Sequence, residues 1–265
     1  MSRYQDFAAV YDRLNVEVDY PARAAYFHQV ISCHGAPGNI LLDLGCGTGS
    51  LAEELAKLGY SLIGVDNSPE MLMAAYNKRM ESGADITYLC QEMTDLDLFG
   101  TVDVVVSALD SLNHLTRYED FCAAIASAAF FLHPDGLMVF DLNTCYKHQV
   151  SLANNTFVYD LDDIYCVWQN TTDEEGLTQM ELDIFLEGED GLYERRDASF
   201  AERAYTHEQV VEALEKAGMK PAAVYHEDSF DPPRSDSQRL IYVAVHDKSR
   251  PDAFLQRPPE DPDRV

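Results

Sequence analysis

The chain reads as an α/β protein built on a doubly wound, mostly parallel sheet. Two observations predict this. Short apolar runs alternate with helical segments through the first 145 positions, and glycine-rich or acidic turns close several of those runs. Strands joined through helices require right-handed crossovers, which lay neighbouring strands parallel. Seven runs fit such a sheet, at residues 39–44, 61–65, 86–90, 102–107, 136–142, 221–227 and 239–246.

The helices between them carry their own punctuation. Asp19 followed by Pro21 supplies a capping carboxylate and a first-turn proline, predicting a helix to about Ser32. Residues 49–58, GSLAEELAKL, have helical spacing and Gly59 closes them. Ser68-Pro69-Glu70 opens the next helix, through MLMAAYNKRM. TRYE at 116–119 has the form of a capping box and predicts a helix to about Leu132. After residue 143 the rhythm changes. TFVYDLDDIYCVWQNTT, LTQMELDIFLEGED and LYERRDASFAERAY read as three antiparallel strands, turned by Gly176 and by EGEDG. Thr206 with Gln209 then caps a helix to Lys216, which Gly218 ends. We therefore expect one domain over residues 1–246, with 150–204 inserted after the fifth strand as an antiparallel substrate lid. Residues 247–265, proline-rich and charged, are expected to form a flexible tail.

Composition narrows the function. The 265 residues, 46% of them apolar, suffice for one large core. Against 46 acidic residues stand 19 Lys and Arg, a formal net charge of −27, and phosphate recognition rests on cations. A nucleic-acid or anionic-membrane partner is disfavoured. Cysteines occur singly at 33, 46, 90, 122, 145 and 166, and no histidine pair has zinc spacing, so no metal is expected. MSRYQDFAAVYDRL lacks a signal-peptide core, and no apolar run approaches the roughly 20 residues of a membrane span. The expectation is a cytoplasmic protein with reduced thiols, monomeric or homodimeric.

Chemistry concentrates at LLDLGCGTGS, residues 41–50. Glycines at 45, 47 and 49 after a strand suit a ligand lying against main chain, backed by helix N-terminal amides. The dinucleotide pattern G-x-G-x-x-G fails, because position 50 is Ser. Asp66, about 20 residues on, suits the ribose of any adenosine ligand. Asp43 discriminates better. A carboxylate beside the loop repels a pyrophosphate and suits a cationic ligand such as S-adenosylmethionine. A nicotinamide oxidoreductase is disfavoured on this ground.

The stretch LLDLGCGTGSLAEELAKLGYSLIGVDNSPEML resembles the first two motifs of the class I S-adenosylmethionine-dependent methyltransferases. The likeness continues through QEMTDL, VDVVVSALDSLNHL and HPDGLMVFDLNT, and covers roughly residues 1–145. It implies a Rossmann-like seven-stranded sheet, S-adenosylmethionine as cofactor and S-adenosylhomocysteine as product. By the same resemblance Gly45, Cys46 and Gly47 would lie against the methionine part of the cofactor, with Asp43 near its ammonium. Asp66 would hold the ribose hydroxyls, Asn67 would flank the adenine, and Glu92 and Met93 would meet its edge. The family more often has Asp where Glu92 stands. The Ala108 carbonyl would face the ammonium, and Tyr4 and Tyr11 resemble the aromatic lid of small-molecule members, though amphipathic packing explains either tyrosine alone.

Methyl transfer is an in-line displacement that needs a base only when the acceptor carries a proton. Asp110, Asn113 and His114, after the fourth strand, are the residues expected beside the reactive methyl. His114 would take a proton and Asp110 would orient a cationic acceptor, with local capping the competing role for each. Asn143 is a weaker candidate of the same kind, and Tyr165, Trp168, Arg195 and Arg196 are candidate lid contacts. The expected function is methylation of a small molecule at N, O or C. The alternatives are RNA or protein methylation and a non-catalytic S-adenosylmethionine-binding protein.

Overall fold

The computed structural model describes residues 5–246; Tyr4 and the expected tail at 247–265 lie outside the described residues. Seven strands form one sheet: β1 (Ile40–Leu44), β2 (Ser61–Asp66), β3 (Ile86–Cys90), β4 (Val102–Ser107), β5 (Leu132–Asn143), β10 (Met219–His226) and β11 (Arg239–His246). Their order is β10-β11-β5-β4-β1-β2-β3. The β5-β4-β1-β2-β3 half is parallel throughout, and β11 pairs antiparallel with both β5 and β10. This is the Rossmann-like arrangement, with chain order reversing between β1 and β4. At such a switch point neighbouring crossovers run to opposite faces and leave a crevice at the strand ends.

The helices cover both faces. α2 (Tyr20–His34), α3 (Ser50–Lys57) and α4 (Pro69–Ser82) share one core with Leu41, Val104 and Val139. α5 (Tyr118–Phe131) and α6 (His207–Lys216) share the other with Leu42, Val105 and Phe140. The caps follow the sequence: Asp19 accepts from the Ala22 amide at 2.9 Å, Ser68 from the Met71 amide at 3.2 Å, and Thr206 with Gln209 closes a full capping box. The expected box at 116–119 does not form. Arg117 stands at the N-cap of α5 with no side-chain capping bond, and Glu119 lies 3.9 Å from the Arg117 side chain.

The insertion has four strands rather than three, in the order β6 (Thr156–Leu161), β7 (Ile164–Thr172), β8 (Leu177–Glu187) and β9 (Tyr193–Arg203). Residues 156–172 form a hairpin in which Leu161 pairs with Ile164 across Asp162-Asp163. Two adjacent acids suit a turn and poorly suit the middle of a strand. One face of this sheet packs Ile164, Cys166, Met180, Leu182, Ile184 and Ala198 against Ala8 and Val10 of α1 (Gln5–Leu14), Met71 of α4 and Leu152. The insertion thus rests on α1 and on the helix that follows β2.

Phe121 of α5 is fully buried and meets Tyr205 at a ring-centroid distance of 4.3 Å, coupling α5 to the chain leaving β9. Phe121→Ala is expected to lower unfolding stability by about 3–5 kcal/mol in urea titration; a loss below about 1 kcal/mol would contradict this packing.

Candidate functional site

The β1–α3 loop builds the floor of the crevice. The amides of Gly45 and Cys46 both donate to the Val65 carbonyl, at 2.8 and 2.9 Å, folding the loop over β2. Gly45, Gly47 and Gly49 all have positive φ, at 77°, 52° and 75°. A Cβ on Gly45 would meet Ser111 at 2.7 Å, whereas one on Gly47 would meet nothing within 4 Å. The space above Gly47 belongs to the crevice, which is lined by Tyr11, Tyr20, Asp43, the loop and Ala108–Leu109. Asp66 ends β2 with its carboxylate spread over two amides: Oδ2 accepts from Gly47 at 2.8 Å and Oδ1 from Ser68 at 2.9 Å. Burial raises its pKa, and those two bonds oppose the rise. Each oxygen keeps a lone pair for a further donor.

Asp43 is only 2% exposed, and its Oδ2 has no hydrogen-bond partner. Burial first, then the charge of Asp66, push its carboxyl up to about 7. A buried carboxylate without a partner is costly unless protonated or met by a cation. Cys46, also buried, has its thiol pushed up by burial and by Asp43 and Asp66, so it is inert as a nucleophile.

The opposite wall follows β4. Leu109 and Asp110 both adopt left-handed conformations, φ 57° and 59°, which neither residue favours. Asp141 of β5, 1% exposed, holds them there by accepting from the Leu109 amide at 2.8 Å and the Asp110 amide at 2.7 Å. Arg239, at the start of β11, donates to Asp141 at 2.6 Å and to Asp110 at 2.7 Å. Burial alone would raise Asp110, but the Arg239 guanidinium, Lys147 and His114 hold it well below the ordinary carboxylate range. Ser111 ties wall to floor, its hydroxyl directed at the carbonyls of Gly45 (3.1 Å) and Ala108 (2.9 Å).

Asp110 and His114 are brought together, with a partner the sequence reading did not pick out. One coordinating atom each from Asp110, His114 and Glu202 of β9 lie within 4.8 Å of one another, a grouping with the reach to hold a metal ion. Arg239 already occupies Asp110, and Asn143 donates to Glu202 at 3.0 Å. His114 keeps 40% of its side chain open and lies 5.3 Å from the Phe200 ring. The surrounding protein lowers its pKa by desolvation, against Asp110 and Asp66, and the open edge of the ring moderates that desolvation. Asn113 is fully buried and acts as a clamp: it donates to the carbonyls of Asn143 and Arg203 and accepts from the Asn143 amide. Asn143 likewise holds Glu202 and Lys147.

The remaining expectations divide. Tyr11 lines the crevice, and burial, Tyr20 and Asp110 raise its phenol. Its neighbour Asp12, unnoticed in the sequence, accepts from Thr48 at 2.7 Å and Ser50 at 3.1 Å, so α1 is fastened to the glycine loop. Asn67 donates to Glu92 at 3.2 Å across the open end of β2, and the Met93 methyl lies 3.3 Å from where a Gly45 Cβ would be. The inserted aromatics and arginines do not reach the crevice. Trp168 packs between Phe157 and Tyr159, Tyr165 is exposed beside Phe185, and Arg195 and Arg196 pair with Asp183 and Glu194.

A parallel sheet with a glycine loop, a strand-end acid and a buried, cation-seeking carboxylate at its switch point defines a nucleoside-cofactor-dependent α/β enzyme. A family model described as a methyltransferase domain matches residues 41–136. A Geobacillus sp. (strain WCH70) protein named as a methyltransferase is 31% identical over 243 residues, 91% of this chain and 98% of its own. The crystal structure of an S-adenosylmethionine-dependent methyltransferase from Clostridium acetobutylicum superposes with a TM-score of 0.84 at 28% identity, over 93% of this chain and all of the other. CalS10, an amino pentose methyltransferase from Micromonospora echinaspora, shares the fold at a TM-score of 0.73 and 21% identity, over 89% of this chain and 96% of its own. The chain belongs to the S-adenosylmethionine-dependent methyltransferases, and S-adenosylmethionine is its cofactor. The residues present fit it: the unpartnered Asp43 oxygen and the side-chain-free space above Gly47 are what a cationic ligand lying on main chain requires.

The elevated Asp43 pKa has a stability consequence of definite sign. The folded state binds a proton there that the unfolded chain releases near pH 4, so stability falls as pH rises from about 4 to about 7. Asp43→Asn is therefore expected to stabilise the ligand-free protein at pH 8 by on the order of 3 kcal/mol relative to its effect at pH 4. Paired urea titrations at the two pH values check this; an effect independent of pH would refute it.

Proposed function

We propose that this enzyme methylates a small-molecule acceptor, as a cytoplasmic protein with no nucleic-acid partner. The observation that supports the reading is the crevice at the switch point, lined by Tyr11 of α1, which Asp12 fastens to the glycine loop, with the inserted sheet packed on the same helix. The net charge of −27 argues against a polyanionic substrate, and among the described residues no helix is long and apolar enough to cross a membrane. The amino pentose acceptor of CalS10 is of the size proposed.

In this reading residues 1–246 work as one unit, with 150–204 as the lid. The main chain of Gly45, Cys46 and Gly47, its amides already bonded to the Val65 carbonyl and to Asp66, lies against the methionine part of the cofactor, and Asp43 with the Ala108 carbonyl receives its ammonium. Asp66 accepts from the ribose hydroxyls with the lone pairs left over from Gly47 and Ser68. Asn67, Glu92 and Met93 flank the adenine. The bound cofactor supplies a methyl group already activated by its sulfonium. Beyond binding it, the chain aligns the acceptor, excludes water and accepts a proton where the acceptor carries one. His114, with an open imidazole edge, is the proposed proton acceptor, and Asp110 the orienting charge.

Thermal-shift titration tests the cofactor half of this reading. S-adenosylmethionine and S-adenosylhomocysteine are expected to raise the melting temperature in a concentration-dependent way while NAD does not. Asp66→Ala should weaken S-adenosylhomocysteine binding by about 1.5–3 kcal/mol, the worth of hydrogen bonds to a charged group. Unchanged affinity would remove Asp66 from the ribose site.

A further inference from the structure

The inserted sheet has a face that the crevice does not use. Its inner face packs Ile164, Cys166, Met180, Leu182 and Ile184 into the core shared with α1 and Met71. A sheet buried on one side alternates apolar-in with polar-out. The outward positions obey this at one end, with Thr156, Gln169, Thr171, Gln179 and Glu181. At the other end they do not. Val158 pairs with Val167, and Tyr165 with Phe185, in neighbouring rows of the outward face. Tyr193, opposite Glu187, extends this block toward the β8–β9 turn. The Tyr165 and Phe185 rings are 6.4 Å apart, and Val158 and Tyr193 are more than half exposed. None of these five side chains enters a hydrophobic core.

Acids surround the block. Across the sheet Val167 is followed by Asp183 and then Asp197, while Asp160 stands opposite Tyr165 and Arg195 opposite Phe185. Glu181 and Glu187 lie on the same face of β8. The nearby cations are already taken: Arg195 pairs with Asp183, Arg196 with Glu194, Arg203 with Glu175, and Arg13 of α1 with Asp163 in the β6–β7 turn. Asp160, Glu181 and Asp197 have no ion pair among the described residues. Residues 156–203 hold 14 acids and three arginines, so 48 positions carry −11 of the net −27 of a 265-residue chain, far above an even share.

We propose that the outward face of β6–β9 is a docking surface for a basic protein. The partner sets apolar side chains on Val158, Val167, Tyr165 and Phe185, and lysines or arginines on the acids around them. An apolar centre within a charged rim is the anatomy of a protein interface, and the sign of the rim decides the occupant. A second copy of this chain would bring an equally acidic rim, and like charges apposed across an interface select against that pairing. Nucleic acid is repelled by the same charge. A metal ion or a polyamine would meet the acids but leave the apolar block in water. The face is the reverse of the one packed on α1 and Met71, so the partner and the cofactor do not compete for residues.

The full-length protein is titrated with a fluorescein-labelled nonapeptide that alternates lysine with tryptophan and valine, read by anisotropy. One control peptide replaces tryptophan and valine with serine and threonine, and another replaces lysine with glutamate. The first peptide is expected to bind at least about tenfold more tightly than the polar lysine control, with the glutamate peptide not binding. Tyr165→Ser combined with Phe185→Ser should reduce the first peptide to the level of the polar control. The isosteric set Asp160→Asn, Glu181→Gln and Asp197→Asn, which leaves the apolar block intact, should weaken it by about tenfold. S-adenosylhomocysteine affinity should be unchanged in both variants. No binding of the first peptide, equal binding of the two lysine peptides, or undiminished binding in the acid-to-amide variant overturns the inference. A dimer in sedimentation that Tyr165→Ser with Phe185→Ser dissolves would assign the face to a second copy and overturn it as well.

Discussion

The crevice takes its shape from one buried carboxylate. Asp141 sits in the middle of the sheet's apolar interior and accepts from two consecutive amides, Leu109 and Asp110, as well as from Arg239. Two successive left-handed residues without glycine would relax if nothing held them, at a cost of order 1–3 kcal/mol each in the native state. A charge-assisted bond to each amide offsets that cost. The consequence is positional: the chain leaving β4 turns sharply back, presents the Ala108 carbonyl to the glycine loop, and sends Asp110 and His114 along the crevice wall. Arg239 and Arg23, the latter 3.4 Å from Asp141, are needed for the same reason, since an ion left unpaired at 1% exposure is far more costly than either turn residue.

Around that anchor the site carries more buried acid than its own cations can satisfy. Asp43 lacks a partner on one oxygen, Asp66 leans on backbone amides, and burial pushes the Glu202 carboxyl up. Asp110 is answered by Arg239, and Asp141 by Arg239 and Arg23. Asp43 lies under the glycine loop, and Glu202 comes from the inserted sheet, where Asn143 holds it. A cofactor with an ammonium and a sulfonium is the natural complement of Asp43. Preorganised charge of this kind requires no reorganisation when the ligand enters, because the solvent has already been removed.

The sequence disclosed the cofactor half of this site far better than the acceptor half, and the reason is locality. The glycine loop, Asp43 and Asp66 lie within 24 positions, joined by one strand–helix–strand unit, so spacing alone assembles them. Asp110 and His114 were legible as residues after a strand, but their partner Glu202 comes from the far end of an insertion 88 residues later. No local pattern points to it. In AERAY it looks like an exposed strand residue, and only the pairing of β9 with β8 and the clamp from Asn113 and Asn143 turn it inward. Asp141 and Arg239 left a faint signal: a lone charge beside an otherwise apolar strand, LMVFDL and RLIYVAV. The missed β6–β7 hairpin was a matter of turn chemistry, since Asp-Asp is a weaker punctuation than Asn-Gly.

The division between the two halves also explains why the insertion exists where it does. A parallel sheet with its crevice at the switch point supplies a floor and one wall, and leaves the top of the crevice open to water. Here β5 runs out of the sheet at Asn143, and the chain does not return to it until α6. Those intervening residues lay four strands over α1 and Met71, with an apolar core of their own. The same excursion ends at Glu202 and Arg203, whose backbone is caught by Asn113 before the chain rejoins the sheet through Tyr205 and Phe121. The inserted sheet and the carboxyl beside His114 therefore belong to one element. The glycine loop is fixed by the seven-stranded sheet, whereas the inserted strands form a separate sheet tied to it through α1, α4 and the Asn113 clamp.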